Sequence, residues 1–194
     1  SELMSSMQKV TRFTGFFIVP LGIILFLEAL LFRQTALPDA VISTSAGLLG
    51  MLPDDERIPD SFSLAQQAGL DYTIGTVVLR GAHPNTALLR LEGVSGRKLE
   101  VMGASIGGGR INICQIDGIT TNFGGDHNTL IVHNQDTPGH VAEVTTALAQ
   151  RGINIATMQL YRSTAGGYAV MVLECDQPLP DALIAELRGL QGIV

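Results

Sequence analysis

The spacing of apolar and polar positions is most regular over the last third of the chain. Leu130, Ile131 and Val132 form an apolar run that ends in the polar turn Asn134-Gln135-Asp136-Thr137-Pro138-Gly139. Beyond it Val141, Val144, Ala147 and Leu148 recur at three- and four-residue steps, the period of a helix with one buried face. Pro138 suits the first turn of that helix, where a missing N–H leaves no hydrogen bond unmade, and Gly152 suits its end. Ile153, Ile155, Met158 and Leu160 then predict a strand, residues 163–167 (STAGG) a hairpin loop, and residues 168–175 the returning strand. Residues 180–190 predict a second short helix with Leu183, Ile184 and Leu187 on one side, and Ile193 and Val194 the start of a last strand. The order β-α-β-β-α-β is that of a ferredoxin-like unit, placing residues 129–194 in the α+β class.

The other end of the chain has a different pattern. Residues 13–32 (FTGFFIVPLGIILFLEALLF) are a 20-residue apolar run with one charge, Glu28. As a helix it is long enough to cross a bilayer, and Pro20 is tolerated better there than in a soluble helix. A signal peptide competes, although the run is long for one and no clean small-residue cleavage site follows; a buried helix of a soluble domain is a further alternative, favoured by Gly22 and Glu28. A second apolar stretch, residues 40–52, is too short to span alone. Residues 1–53 are thus expected to form a hydrophobic helical segment, with membrane contact through residues 13–32.

Between these ends, residues 59–69 (PDSFSLAQQAG) predict a helix opened by Pro59 and Asp60 and closed by Gly69. Residues 72–79 read as a strand. The corner His83-Pro84-Asn85-Thr86 then turns into another strand, since Pro84 holds His83 extended. His83 and Asn85 suit contact with a carboxylate or phosphate; an ordinary connection explains them equally well. Two β-rich runs flank Gly107-Gly108-Gly109, with Ser105 before and Arg110 after. Successive glycines can turn backbone N–H groups into an anion-binding concavity, to which Arg110 would add paired donors. A glycine-rich β-turn without ligand is the alternative. A dinucleotide loop is excluded, because the glycine order is wrong and a strand follows.

Composition narrows the chemistry. The chain is 46% apolar with a mean hydropathy of +0.31 and a net charge of −6, and no basic cluster suits nucleic acid. Cys114 and Cys175 stand far apart without CxxC spacing, so neither a metal site nor a disulfide framework is expected. His127 and His133 lack a third ligand at suitable spacing. No serine has an adjacent histidine, and no nucleophile-base set is visible.

The turn Asn-x-Asp-x-Pro-Gly and the string Gly152-Ile153-Asn154-Ile155, with their spacing, resemble the ACT domain. ACT domains are regulatory modules that bind amino acids, usually between paired copies. The likeness is nearest to the ACT domains of phosphoglycerate dehydrogenase and of iron–sulfur L-serine dehydratases. It implies an effector site at Asn134, Asp136, Pro138, Gly139, His140 and Asn154. Asn134 stands where the dehydrogenase has His and Asp136 where it has Asn; Asn154 is unchanged. From Gly47 to Val194 the chain resembles the β chain of an iron–sulfur L-serine dehydratase, His83-Pro84-Asn85-Thr86 included.

That resemblance implies a β subunit of an L-serine ammonia-lyase, which converts L-serine to pyruvate and ammonia. A partner α subunit would hold the 4Fe–4S cluster, and the ACT domain would bind a small amino acid and mediate dimerisation. The dehydratase portion would be cytoplasmic. It also makes residues 54–128 a truncated α/β domain of the allosteric-substrate-binding kind, because the family's opening Ser-Ser-His-Thr and Gly-His-Gly-Thr segments are missing. In their place, residues 1–53 resemble part of the membrane domain of cation-transporting P-type ATPases, without that family's Pro-Glu-Gly-Leu or Asp-Lys-Thr-Gly motifs. Residues 47–53 suit both families, which points to a fusion there. A membrane-tethered ACT sensor and a non-functional fusion are the alternative readings.

Overall fold

The computed structural model describes residues 24–31 (as backbone), 45–51, 54–94, 96–107, 110–124 and 126–193. They fall into two compact units that divide between residues 125 and 126.

The first unit is built on a six-stranded mixed sheet. Its strands are β1 (Ile24–Leu31), β2 (Asp71–Thr76), β3 (Thr86–Gly93), β4 (Lys98–Gly107), β5 (Arg110–Ile116) and β6 (Ile119–Phe123), in the order β2-β1-β3-β4-β5-β6. β1 runs parallel to β2, with Leu27 opposite Tyr72, and antiparallel to β3, with Leu27 opposite Leu91. The helix expected across residues 13–32 is therefore a strand where the structure describes it. The remainder of that span lies outside the described residues. A short unbroken apolar run is equally the signature of a strand paired on both sides, and periodicity cannot separate that from a helix. Among the described residues no helix is long and apolar enough to cross a membrane.

β3 is well buried: Thr86, Ala87, Leu88, Leu89 and Leu91 are all enclosed. β4, β5 and β6 follow as antiparallel neighbours. The tight turn between β5 and β6 is Asp117-Gly118, both at positive φ, the sequence that a two-residue hairpin demands. Asp117 also accepts from the Glu100 N–H at 2.7 Å and so ties the turn to β4. The expected helix at residues 59–69 appears as a 3₁₀ turn, Ile58–Asp60, leading into α1, Ser61–Gln67. A small cluster of Ala46, Met51 and Ile58, joined by Leu49 and Leu64, packs residues on either side of position 53 together.

The second unit has the expected β-α-β-β-α order: β7 (Asn128–Gln135), α2 (His140–Ala149), β8 (Ile155–Arg162), β9 (Tyr168–Cys175) and α3 (Asp181–Arg188). The sheet order is β7-β9-β8, fully antiparallel. The expected last strand is a single antiparallel bridge from Ile193 to Asn134, on the free side of β7. Its core joins Leu130 and Val132 of β7, Met171, Leu173 and Cys175 of β9, Val144, Ala147 and Leu148 of α2, and Leu183 and Leu187 of α3. The helix starts later than expected. Pro138 precedes it, and Gly139 is its N-cap at φ 111°, a conformation that L side chains rarely adopt.

Candidate functional site

β7 alternates, so Asn134 points to the same face as the core residues Leu130 and Val132, beneath the start of α2. It is only 3% exposed. Its amide nitrogen donates to the Gln135 carbonyl at 2.6 Å. Because a carbonyl only accepts, the nitrogen must face it, and Oδ1 is left buried with no hydrogen-bond partner. An unpaired buried acceptor costs about 1–3 kcal/mol. A donor group, such as the ammonium of an amino acid, would relieve that cost.

His140 opens α2 and is also buried. Its Nδ1 lies 2.9 Å from Glu143 Oε2, one helical turn on. Its Nε2 edge packs on the backbone of Gly192: a Cβ placed there would come within 2.6 Å of Nε2. Gly192 in turn accepts from the Gln135 N–H at 2.9 Å, beside the Ile193–Asn134 bridge. Asn134, His140 and residues 192–193 thus meet at one end of the helix-covered face. A helix N-terminus attracts anions, so a carboxylate suits the same place.

Asp136 is differently engaged. Its Oδ2 accepts from the Gly166 N–H at 3.0 Å and from Arg162 Nη1 at 3.1 Å, and its own N–H donates to Gly167 at 2.8 Å. The Gly166 N–H first, and then Arg162, hold its carboxyl below the ordinary carboxylate value. Asp136 therefore fastens the turn to the β8–β9 hairpin. Pro138 and Gly139 are exposed. Asn154 lies elsewhere: its Nδ2 donates to Asp176 at 2.6 Å and its N–H to Gln177 Oε1 at 2.7 Å. Register places it at the Cys175 end of β9, while Asn134 pairs with Ala169. At about 3.3 Å per residue those ends are roughly 20 Å apart. Within one chain, then, Asn154 does not join Asn134.

In the first unit, Asn85 reaches β4 just before the glycine segment, while the contacts of His83 stay within its own turn. The Asn85 N–H donates to His83 Nδ1 at 3.1 Å, Thr86 Oγ1 donates to the His83 carbonyl at 2.7 Å, and the Ser105 N–H donates to the Asn85 carbonyl at 2.9 Å. Ser105 is buried, whereas His83 and Arg110 are exposed. Gly107, at φ 89°, pairs with Arg110 across the β4–β5 hairpin; Gly108 and Gly109 lie outside the described residues. The corner and the hairpin thus share one end of the sheet.

Sequence reasoning missed Glu143, Arg162, Gly166 and Gly192. Glu143 was signalled by its three-residue step from His140. Gly192 was signalled by the ferredoxin-like order, which sets the last strand beside the first. For Arg162 and Gly166, 26 and 30 residues from Asp136, no local signal exists.

The cysteines do not suit an iron–sulfur cluster on this chain. Cys114, half-buried, donates to the Met102 carbonyl, and Cys175 lies in the core of the second unit. Burial pushes both thiols up, away from the thiolate that a cluster needs. Among the described residues no three His, Cys, Asp or Glu side chains gather as a metal site.

The ACT domain family model matches residues 128–192. Over 153 residues, 79% of the chain, it is 33% identical to the probable L-serine dehydratase beta chain of Bacillus subtilis, covering 69% of that protein. It is likewise 33% identical over 146 residues, 75% of the chain, to the L-serine dehydratase beta chain of Peptoniphilus asaccharolyticus, covering 66% of it. A shorter stretch of 53 residues is 47% identical to a probable cation-transporting ATPase of Streptococcus pneumoniae, covering 27% of the chain and 7% of the ATPase. The longest dehydratase match and the ATPase match together exceed the length of the chain, so the two likenesses share residues.

Proposed function

Because the chain belongs to the L-serine dehydratase beta-chain family, we propose that it is the regulatory and assembly subunit of an L-serine ammonia-lyase. Converting L-serine to pyruvate and ammonia needs a base at the α-carbon and an acid for the departing hydroxide. The partner α chain supplies these, together with a 4Fe–4S cluster that acts as Lewis acid. This chain's own part is to bind a small amino acid, serine first among candidates, through its ACT unit. The observation that carries the reading is the orphan Oδ1 of Asn134 at the N-terminus of α2, inside a matched ACT domain.

The position of Asn154 supports a site between two copies. β8 is the edge strand of its sheet and leaves Met158 and Leu160 about half exposed on one face. Two copies paired antiparallel along β8 would set the Asn154 end of one against the Arg162 end of the other, where Asp136 is fastened. Dimerisation would so reunite residues that a single chain keeps apart. Leu160→Glu should give a monomer by sedimentation and weaken L-serine binding at least tenfold by calorimetry. A monomeric variant that binds L-serine as the unaltered chain does would place the effector site within one copy. The second candidate, His83, Asn85, Ser105, Gly107 and Arg110, has the donors for a carboxylate or phosphate and remains part of this proposal as an anion site.

A further inference from the structure

We propose that Arg162 is the carboxylate-binding residue of the effector site, and that its ion pair with Asp136 is a receptor for a zwitterion. The inference rests on amino-acid binding at the ACT unit and names what that site selects. A bound α-amino acid parts the pair: its carboxylate takes the guanidinium, and its ammonium takes the Asp136 carboxylate that the guanidinium leaves. The register puts Arg162 within reach. Asn134 on β7, Ala169 on β9 and Arg162 on β8 stand in one row across the sheet, and residues opposite one another share a face. Arg162 is thus rooted on the same face as Asn134, two strand spacings or roughly 10 Å away. Its head nevertheless lies at the turn, because Nη1 is 3.1 Å from Asp136 Oδ2. The arm therefore spans β9 at its Tyr168 end, where Ala169 and Gly167 leave room.

The pair is open to exchange on one side and fixed on the other. The Arg162 side chain is 59% exposed and that of Asp136 18%. An exposed ion pair contributes little, so parting it costs little. Asp136 does not depend on it for position. The Gly166 N–H donates to the same oxygen at 3.0 Å, and the Asp136 N–H donates to the Gly167 carbonyl at 2.8 Å. A guanidinium can give a carboxylate two parallel N–H bonds, against the one from Nη1 to Asp136. Two residues back, the buried Oδ1 of Asn134 lacks a donor, and an ammonium brings three. A hydroxy acid or keto acid, pyruvate included, has the carboxylate without the ammonium; a simple amine has the reverse. Neither replaces both halves of the pair, so the site separates an amino acid from both.

The test is calorimetry and NMR on the full chain with three probes: L-serine, L-glycerate, which has a hydroxyl in place of the ammonium, and ethanolamine, which lacks the carboxylate. L-serine should bind about tenfold or more tightly than either, and should shift the Arg162 Nε–H signal. Arg162→Gln should weaken L-serine binding by about tenfold or more, and Arg162→Lys by less. The Gly166 amide should stay protected from exchange in both variants. If L-serine binds but L-glycerate or ethanolamine matches it, the zwitterion receptor is overturned while effector binding stands. Arg162→Gln that binds L-serine as the unaltered chain does would take Arg162 out of the site. Loss of Gly166 protection together with loss of binding would show that Arg162 only fastens the turn, which overturns the inference too. If the unaltered chain binds no L-serine, the effector reading falls and this inference with it. Should Arg162→Gln fail to fold, the ligand comparison and the Nε–H signal of the unaltered chain decide.

Discussion

Asp136 carries the only acidic charge in the polar turn, and the structure spends that charge on the neighbouring hairpin. Its carboxylate is held below the ordinary value by the Gly166 N–H and by Arg162. A lowered carboxyl contributes stability that is complete above the unfolded value, near 3.8, and is lost as pH falls through the folded one. Between pH 5 and 8 the fastening should therefore be constant. In an NMR titration the Gly166 amide shift should move with a midpoint below 3.8, and Asp136→Asn should abolish that movement. A midpoint at or above 3.8 would mean that the contact does not favour the ionised form. None of this was legible from the chain itself. The residues at the turn were legible as polar and ligand-like, yet which of them was committed to Arg162 depended on the register of β8 and β9. Asn154 teaches the same lesson in reverse. It sits in the motif with the turn residues, but the length of a strand separates it from Asn134.

Elements were legible where periodicity and punctuation agreed. α2 has both a three-and-four repeat of apolar residues and a glycine at each end, and it forms within two residues of its expected start. Pro138 misled by two places because both Pro and Gly mark helix entry, and only the backbone angle at Gly139 distinguishes them. β1 was illegible as a strand. Its run of apolar residues continues beyond it on both sides in the sequence, and length alone favoured a helix. In the structure its backbone lies between β2 and β3, so both of its edges are paired. Leu27→Pro should break that pairing, because proline removes a ladder donor from a strand with neighbours on both sides. Amide exchange should then lose its protection across β2 and β3 and keep it in β9. Protection retained in β3 would show that the first unit does not depend on β1.

At the scale of the molecule, the first unit is built on one six-stranded sheet. A stretch of 53 residues is 47% identical to a probable cation-transporting ATPase, in a chain that belongs to the dehydratase beta-chain family. The cluster of Ala46, Met51, Ile58 and Leu64 packs residues from both sides of position 53 together. The fold class of the second unit was readable because local propensity, turn chemistry and apolar pattern all pointed one way. The first unit was not, since its sheet draws a strand from residues whose sequence resembles something else. A dehydratase subunit must assemble with a catalytic partner and be needed for its activity. The direct measurement is co-expression with its matching L-serine dehydratase α chain, affinity capture of this chain, and an anaerobic assay of pyruvate from L-serine. A stoichiometric complex whose activity needs both chains is expected. Capture of this chain alone, with the α chain equally active without it, would mean that it is not a working subunit of the enzyme.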